Sequence, residues 1–412
     1  IDMPRDVTQE VIEYVPVKNV DIRSYKPTVS GHMGMIKRAV QSIKDAKKMV
    51  ICVGGGVVSA GATAEVMKLA NMKNATVVAT MMGLSGYPAE EERFFGMLGT
   101  YGNEGANLAV QDCDCFLALG MRFDDRVTGD VNEFAKQAKI VHIDIDNSEF
   151  DKNVKTDATI HGDAKTVLEM LLPKVKATKR TEWLASFADD EELERTKVIE
   201  KEVYPQEGEL KMGEVVNKVS EAAGENAVLV TDVGQNQMMS SRYFNYTTPK
   251  SIVTSGGLGT MGFGLPAAIG AKIGAPERTV CFFVGDGGIQ MTIEELGVIL
   301  QYGVGVKIVI LNNNFLGMVR QWQDIFYQKR YSQTPMVNPD FVALAKAYSI
   351  PAEEVNSREE LDAAIERMMS HDGAYVLNVK VETEGYVFPM VPAGSTMLNT
   401  ILAPGEKYQP KN

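Results

Sequence analysis

At 412 residues the chain is too long for one ordinary domain, and 42 Lys and Arg against 54 Asp and Glu leave a formal charge of −12, which argues against a general affinity for nucleic acid or anionic membrane. Hydrophobic residues make up 45%, no apolar run approaches the roughly 18 residues of a membrane span, and the charged start Ile1-Asp2-Met3-Pro4-Arg5-Asp6 is unlike a signal peptide, so a cytoplasmic protein of two or three domains is expected. The cysteines Cys52, Cys113, Cys115 and Cys281 lie in or beside apolar runs without a CxxC partner and read as buried structural thiols, and the scattered histidines His32, His142, His161 and His371 make a hydrolase triad a poor fit.

Residues 1–27 read as the remnant of a preceding domain and a linker: Ile1 to Pro4 looks like a closing strand, followed by a polar, Pro-containing stretch. Over 28–175 the strand-like runs Met49-Val53, Thr76-Ala79, Cys115-Leu119 and Ile140-Ile145 alternate with amphipathic stretches such as Ala62-Asn71, which implies a parallel sheet with helices on both faces. Within it, Val53-Gly54-Gly55-Gly56 between a strand and a helix is a candidate phosphate loop. A plain tight turn fits equally well, because the third glycine of a dinucleotide fingerprint is displaced to Gly61 and no acid follows about 20 residues on. Lys174 to Glu209 is dense in charge, from Lys174, Lys176, Lys179 and Arg180 to Asp189-Asp190-Glu191-Glu192, and 176–209 read as a solvated helical connector. The alternation resumes over 210–384, with strands at Ala227-Thr231, Val280-Val284, Val306-Leu311 and Ala374-Val379, giving a second doubly wound α/β domain. The tail, 385–412, is rich in Pro, Gly and Met and ends in a polar stretch expected to be disordered.

The strongest local signal is the strand Cys281-Phe282-Phe283-Val284 running into Gly285-Asp286-Gly287-Gly288, a helical pattern through Gln301, and a second strand ending at Asn312-Asn313. A right-handed β-α-β crossover sets these strands parallel and close, so Asp286 and Asn313 emerge together at the carboxyl edge where such sheets bind ligands. A carboxylate beside an amide oxygen suits Mg²⁺, the glycines let a diphosphate approach the backbone, and a helix starting near Gln290 points its dipole at the anion. The spacing of GDG, 24 residues and NN in this context is the fingerprint of thiamine-diphosphate enzymes.

At this point the chain resembles the acetohydroxyacid (acetolactate) synthase catalytic subunit over nearly its whole length. The resemblance is carried by Thr254 to Gly270 (TSGGLGTMGFGLPAAIG), Leu311 to Gln323 (LNNNFLGMVRQWQ), Asp232 to Gln237 (DVGQNQ) and Phe123 to Gly129 (FDDRVTG). It implies that Asp286, Asn313 and the main-chain oxygen of Phe315 hold Mg²⁺. It also implies that Val233, Gly234, Gln235, Asn236, Gly259, Met261, Gly285, Gly287, Gly288, Leu316, Gly317, Met318 and Val319 line thiamine diphosphate, with Met261 beneath the cofactor and Trp322 walling the substrate pocket. The family commonly has His where Asn236 stands, which puts a histidine-specific role in doubt.

For the first α/β domain the same resemblance implies FAD, bound by Gly54, Gly55, Gly56, Thr80, Met81, Leu98, Gly99, Thr100, Tyr101, Gly120, Arg122, Asp124, Arg126, Val127, Asp144, Ile145, Asp163 and Ala164, without net redox chemistry. Tyr101 stands where the family often has His. The implied reaction is decarboxylation of pyruvate and carboligation to a second 2-ketoacid, giving 2-acetolactate or 2-aceto-2-hydroxybutyrate for branched-chain amino acid biosynthesis. The family is dimeric or larger and usually binds a regulatory small subunit. Its catalytic glutamate comes from an amino-terminal domain, and no Glu of this chain takes that role, so these residues alone are expected to turn over little. A related pyruvate oxidase or decarboxylase, or a non-catalytic truncated module, are the alternatives.

Overall fold

The computed structural model describes residues 2–178 and 181–405; Ile1, Lys179, Arg180 and the polar end of the tail, 406–412, lie outside the described residues. Two parallel sheets of six strands each organise the chain. The first contains β1 (Met49–Val53), β2 (Thr76–Ala79), β3 (Phe94–Met97), β4 (Cys115–Leu119), β5 (Lys139–Asp144) and β6 (Ala158–His161), in the order β3-β2-β1-β4-β5-β6. The second contains β7 (Val228–Thr231), β8 (Ile252–Val253), β9 (Val280–Gly285), β10 (Val306–Asn312), β11 (Ala352–Val355) and β12 (Tyr375–Lys380), in the order β11-β12-β10-β9-β7-β8. Among the described residues no helix is long and apolar enough to cross a membrane.

The strands form where apolar residues run without a break, because helices cover both faces of a parallel sheet. All five residues of β1 and all five of β4 are buried, and they pair in register from Met49 with Cys115 to Val53 with Leu119. Each such Val, Leu or Ile contributes about 1.5–3 kcal/mol on leaving water. One hydrophobic cluster runs through both halves, from Ile36 and Ile51 to Tyr243, Phe283 and Val379. The halves are also stitched by the main chain of Ala89, whose N–H donates to Tyr246 O at 3.0 Å, and by Ser85 Oγ, which accepts from Ser251 N at 3.2 Å.

Several expectations need correction. Asp2–Pro4 form no strand: the chain enters a helix at Arg5–Gln9, and residues 2–30 are exposed, with no sheet edge to pair against. β5 closes at Asp144, which leaves Ile145 outside the strand and 42% exposed. The connector is not merely a solvated face. Trp183, Phe187, Val198 and Val203 are buried along it, and Glu194, 3% exposed, pairs with Arg242 of the second domain at 2.5 Å. Dense charge in sequence does not reveal which carboxylate finds a partner across a domain boundary. The disorder expected of the tail's polar end falls on 406–412, outside the described residues; before it Val387, Met390 and Met397 are buried and Met390 bridges Ile401.

Glu202, near the connector's end, accepts a hydrogen bond from Gly213 N at 2.9 Å. Burial pushes its carboxyl up to about 8, opposed by that hydrogen bond and by Lys211, and aided by Glu382 and Glu214. A folded-state pKa above the unfolded value of roughly 4.3 means that this group favours the fold fully at low pH and that the benefit is lost as pH rises through the folded value. Urea melts are therefore expected to show stability falling between about pH 5 and 9, and Glu202→Gln is expected to flatten that slope.

Candidate active site

Three strand ends meet in the second sheet: β7 passes into Asp232-Val233-Gly234, β9 into Asp286, and its neighbour β10 into Asn313. Leu311 of β10 pairs with Gly285 of β9, so the acid and the amide leave adjacent parallel strands side by side. Strand order diverges to either side of β7 and β9, the kind of switch point at which open α/β sheets form a ligand crevice.

Asp286 is 1% exposed. Its Oδ1 accepts from Gly287 N at 3.1 Å and its Oδ2 from Asn338 Nδ2 at 2.6 Å. Burial holds its carboxyl above the usual carboxylate range, against the pull of the Asn338 hydrogen bond. Asn338 Nδ2 also lies 3.2 Å from both Asn312 Oδ1 and Asn314 Oδ1, which share its second proton, and its Oδ1 accepts from Gln290 at 3.0 Å. Asn314 sits at φ 58, a left-handed conformation that asparagine tolerates, and the turn brings Phe315 N to Asn313 Oδ1 at 3.1 Å. The helix expected near Gln290 instead begins at Asp286 and spans only Asp286–Ile289. Gln290 closes it, bonding Asp286 O at 2.9 Å.

A cavity of about 200 Å³ opens at these strand ends. It gathers Val233, Gly234, Gln235, Asn236, Met261, Gly285, Asp286, Gly287, Gly288, Asn313, Phe315, Leu316, Gly317, Met318 and Val319, together with Met212, which sequence reasoning missed. A second cavity of about 500 Å³ lies between the two sheets and shares Val233, Gly234 and Met318 with the first. It is lined by Thr80, Met81, Leu98, Thr100, Tyr101, Arg122, Asp124, Arg126 and Val127 from one side and by Gly259 and Trp322 from the other, with Met82, Met97, Gln237 and Met238 unanticipated.

The remaining residues expected at a flavin do not line this cavity, and several have local work. Gly54 N donates to Leu119 O at 2.8 Å and Gly56 N to Gly120 O at 3.0 Å, so two amides of the proposed phosphate loop are already used. A Cβ at Gly54 would run into Gly120 O, and one at Gly56 would stand 2.6 Å from Gly120 Cα. These glycines let two backbones touch across β1 and β4. Asp163 caps the helix Ala164–Leu171, accepting from Thr166 N at 3.0 Å, Asp144 accepts from Asp146 N at 2.9 Å, and Gly99 N donates to Asn107 Oδ1 at 2.9 Å.

Asp232 was missed as a site residue, although an acid directly after an apolar strand was a usable signal. It is 1% exposed and accepts from Val233 N at 2.8 Å, Gly262 N at 2.9 Å and Gly264 N at 2.9 Å, tying β7 to the glycine-rich loop. On that loop Gly257 and Gly259 face open space. Asn236 donates to Val233 O at 3.1 Å, while its Oδ1 is buried with no partner among the described residues. An orphaned buried amide is costly by about 1–3 kcal/mol unless a ligand answers it.

Among the described residues no group of three His, Cys, Asp or Glu could hold a metal. A cation here would depend on one carboxylate, one amide and one main-chain oxygen, a hard all-oxygen set suited to Mg²⁺ with remaining positions for phosphate and water. The glycine-lined floor lets a diphosphate approach the backbone, whereas the orphaned Asn236 Oδ1, an acceptor, calls for a donor group rather than for phosphate oxygens.

Fold and crevice together define a thiamine-diphosphate enzyme: residues 36–171 match the central domain of thiamine pyrophosphate enzymes and 232–379 match their C-terminal TPP-binding domain. The chain is 39% identical over 411 residues to the probable acetolactate synthase large subunit of Methanocaldococcus jannaschii, covering 97% of this chain and 69% of that protein. It is 38% identical to the acetolactate synthase large subunit of Haemophilus influenzae, covering 98% and 71%. It is also 38% identical to the acetolactate synthase isozyme 3 large subunit of Escherichia coli, covering 96% and 71%. The chain belongs to the acetolactate synthase large-subunit family.

If Gly54 serves backbone approach, Gly54→Ala is expected to destabilise folding by about 3 kcal/mol or more, as overpacking against main chain does. Chemical denaturation checks this, and a variant of unchanged stability would restore the phosphate-loop reading.

Proposed function

We propose that this chain provides the cofactor-holding halves of an acetolactate synthase active site, in which pyruvate is decarboxylated and its two-carbon remainder joined to a second 2-ketoacid. The observation that carries the reading is the pairing of β9 with β10, which sets Asp286 and Asn313 side by side at the rim of a glycine-floored cavity. Asp286, Asn313 and the Phe315 carbonyl would hold Mg²⁺, while Val233 to Asn236, Gly285, Gly287, Gly288 and Leu316 to Val319 would hold thiamine diphosphate. Bound thiamine diphosphate supplies the electron sink that loss of CO₂ from a 2-ketoacid requires.

The protein's part is placement and exclusion. Asn338 keeps Asp286 Oδ2 engaged, which leaves Oδ1, with its Gly287 bond, as the oxygen best placed for a cation. Met261 and Met318 give the smaller cavity apolar walls, which shield a reacting carbon from protons. The larger cavity, with thioethers on its walls and the exposed Arg122 and Arg126 at its margin, fits the ring and an anionic group of FAD. The Gly54-Gly56 loop does not add to that fit.

Neither cavity is lined by a glutamate among the described residues. The reading therefore assigns the proton-transferring carboxylate to a segment outside them and expects little turnover from these residues alone. Because the relatives are named large subunits, a smaller companion subunit is proposed; self-association and a cytoplasmic location are proposed on the family resemblance alone.

Calorimetry with thiamine diphosphate and Mg²⁺ tests the site. Saturable, Mg²⁺-dependent binding is expected, with Asp286→Asn weakening it by about 2 kcal/mol or more, as loss of a charged ligand does; binding indifferent to Mg²⁺ and to that substitution would sink the assignment. With the catalytic carboxylate supplied, the expected product from pyruvate is 2-acetolactate, and acetaldehyde, or acetate with peroxide, would instead mark a decarboxylase or an oxidase.

A further inference from the structure

The helix Gly317–Phe326 turns Met318 and Trp322, four residues apart and so on one face, toward the larger cavity, and Met318 also borders the smaller one. The side chain that holds this face comes from the first domain. Tyr101 Oη accepts from Trp322 Nε1 at 3.0 Å and donates to Met318 Sδ at 3.1 Å, so a single hydroxyl engages both. Its proton is used on the sulfur and its lone pair on the indole, and a phenyl ring could satisfy neither. Burial raises the Tyr101 hydroxyl above the usual phenol range. It therefore stays protonated at neutral pH and both bonds persist.

The tyrosine is itself clamped from behind. Its main-chain oxygen accepts from Arg242 Nη1 at 3.1 Å, and Arg242 Nη2 meets Glu194 Oε1 at 2.5 Å, with side chains only 1% and 4% exposed. Glu194 also accepts from Asn103 Nδ2 at 3.0 Å and Glu104 N at 2.7 Å, just past Tyr101 in the chain. One buried carboxylate of the connector thus fixes the loop that delivers the hydroxyl. The contact joins residues 221 apart in sequence.

We propose that Tyr101 is a positioning residue for the active site: clamped by the Arg242 and Glu194 pair, it sets where the Met318 and Trp322 wall stands and so the space left for the second 2-ketoacid. The bearing on substrate rests on the activity proposed above, whereas the placement of the wall does not.

The chain has two tryptophans, Trp183 and Trp322, and Trp183 packs on Phe187 in a separate cluster. In a Trp183→Phe background the emission therefore reports Trp322 alone, and acrylamide quenching without ligand measures how firmly its ring is held. Adding Tyr101→Phe is expected to raise the exposed-ring population roughly two- to tenfold, the change that loss of one hydrogen bond allows, with melting still cooperative. Met318→Leu in the same background is expected to give a smaller rise, because the indole keeps its acceptor. Unchanged quenching in Tyr101→Phe, a rise matched by Met318→Leu, or a rise that accompanies loss of cooperative melting overturns the proposal. None of these results touches the calorimetric test of cofactor binding, so the two readings fail separately.

Discussion

A carboxylate withdrawn from water must be answered by hydrogen-bond donors or by a cation, and the second domain is built around that demand at Asp286. The strand below it is apolar and closed to solvent, so the acid has no route back to bulk water except through the crevice. Asn338 and the Gly287 amide answer part of the charge. What they leave unanswered is the ground on which a divalent ion is proposed there. Asp232 poses a similar demand one strand away and is satisfied by main-chain amides, which is why it braces a loop while Asp286 remains available.

The first sheet uses the corresponding position differently. Where β1 and β4 end, there is no acid but a close approach of Gly54 and Gly56 to Gly120, so the strand tips are sealed against each other. The larger cavity lies outward, in the gap between the two sheets. The continuous hydrophobic cluster and the buried Arg242 and Glu194 pair join the two halves beside that gap. Such a pair is weak evidence for net stability, but loss of either partner would strand a charge in a dry place. Its value here is geometric.

The strands were readable because parallel sheets covered on both faces need unbroken apolar runs, and Met49-Val53, Thr76-Ala79 and Cys115-Leu119 are such runs. The acid and amide at the ends of β9 and β10 were readable for the same reason: once two strands are parallel neighbours, the residues that follow them must meet. Asn338 was not, since it reaches Asp286 from 52 positions away on a loop without periodicity. Nor was the engagement of Glu194, which looks in sequence like any other acid in a charged run. Gly54-Gly56 stood level between turn and phosphate loop because both need glycine, and only the destination of the amide hydrogens separates them. Periodicity carries the scaffold, while contacts between domains leave no periodic trace.

The ordered stretch through Leu402 reaches across both domains: Val391 N bonds Thr100 O at 2.8 Å, Asp130 N bonds Ser395 O at 3.0 Å, and Val387 N meets Gln321 Oε1 at 2.9 Å. Bonds closed over such long spans of chain form late, because the intervening polypeptide must already be in place. On a ribosome the two sheets can therefore assemble while this strap is still being made. Thr100, which lines the larger cavity, gains its bond from Val391 only after residue 391 has emerged, so a nascent chain has its scaffold before that wall is fully tied down.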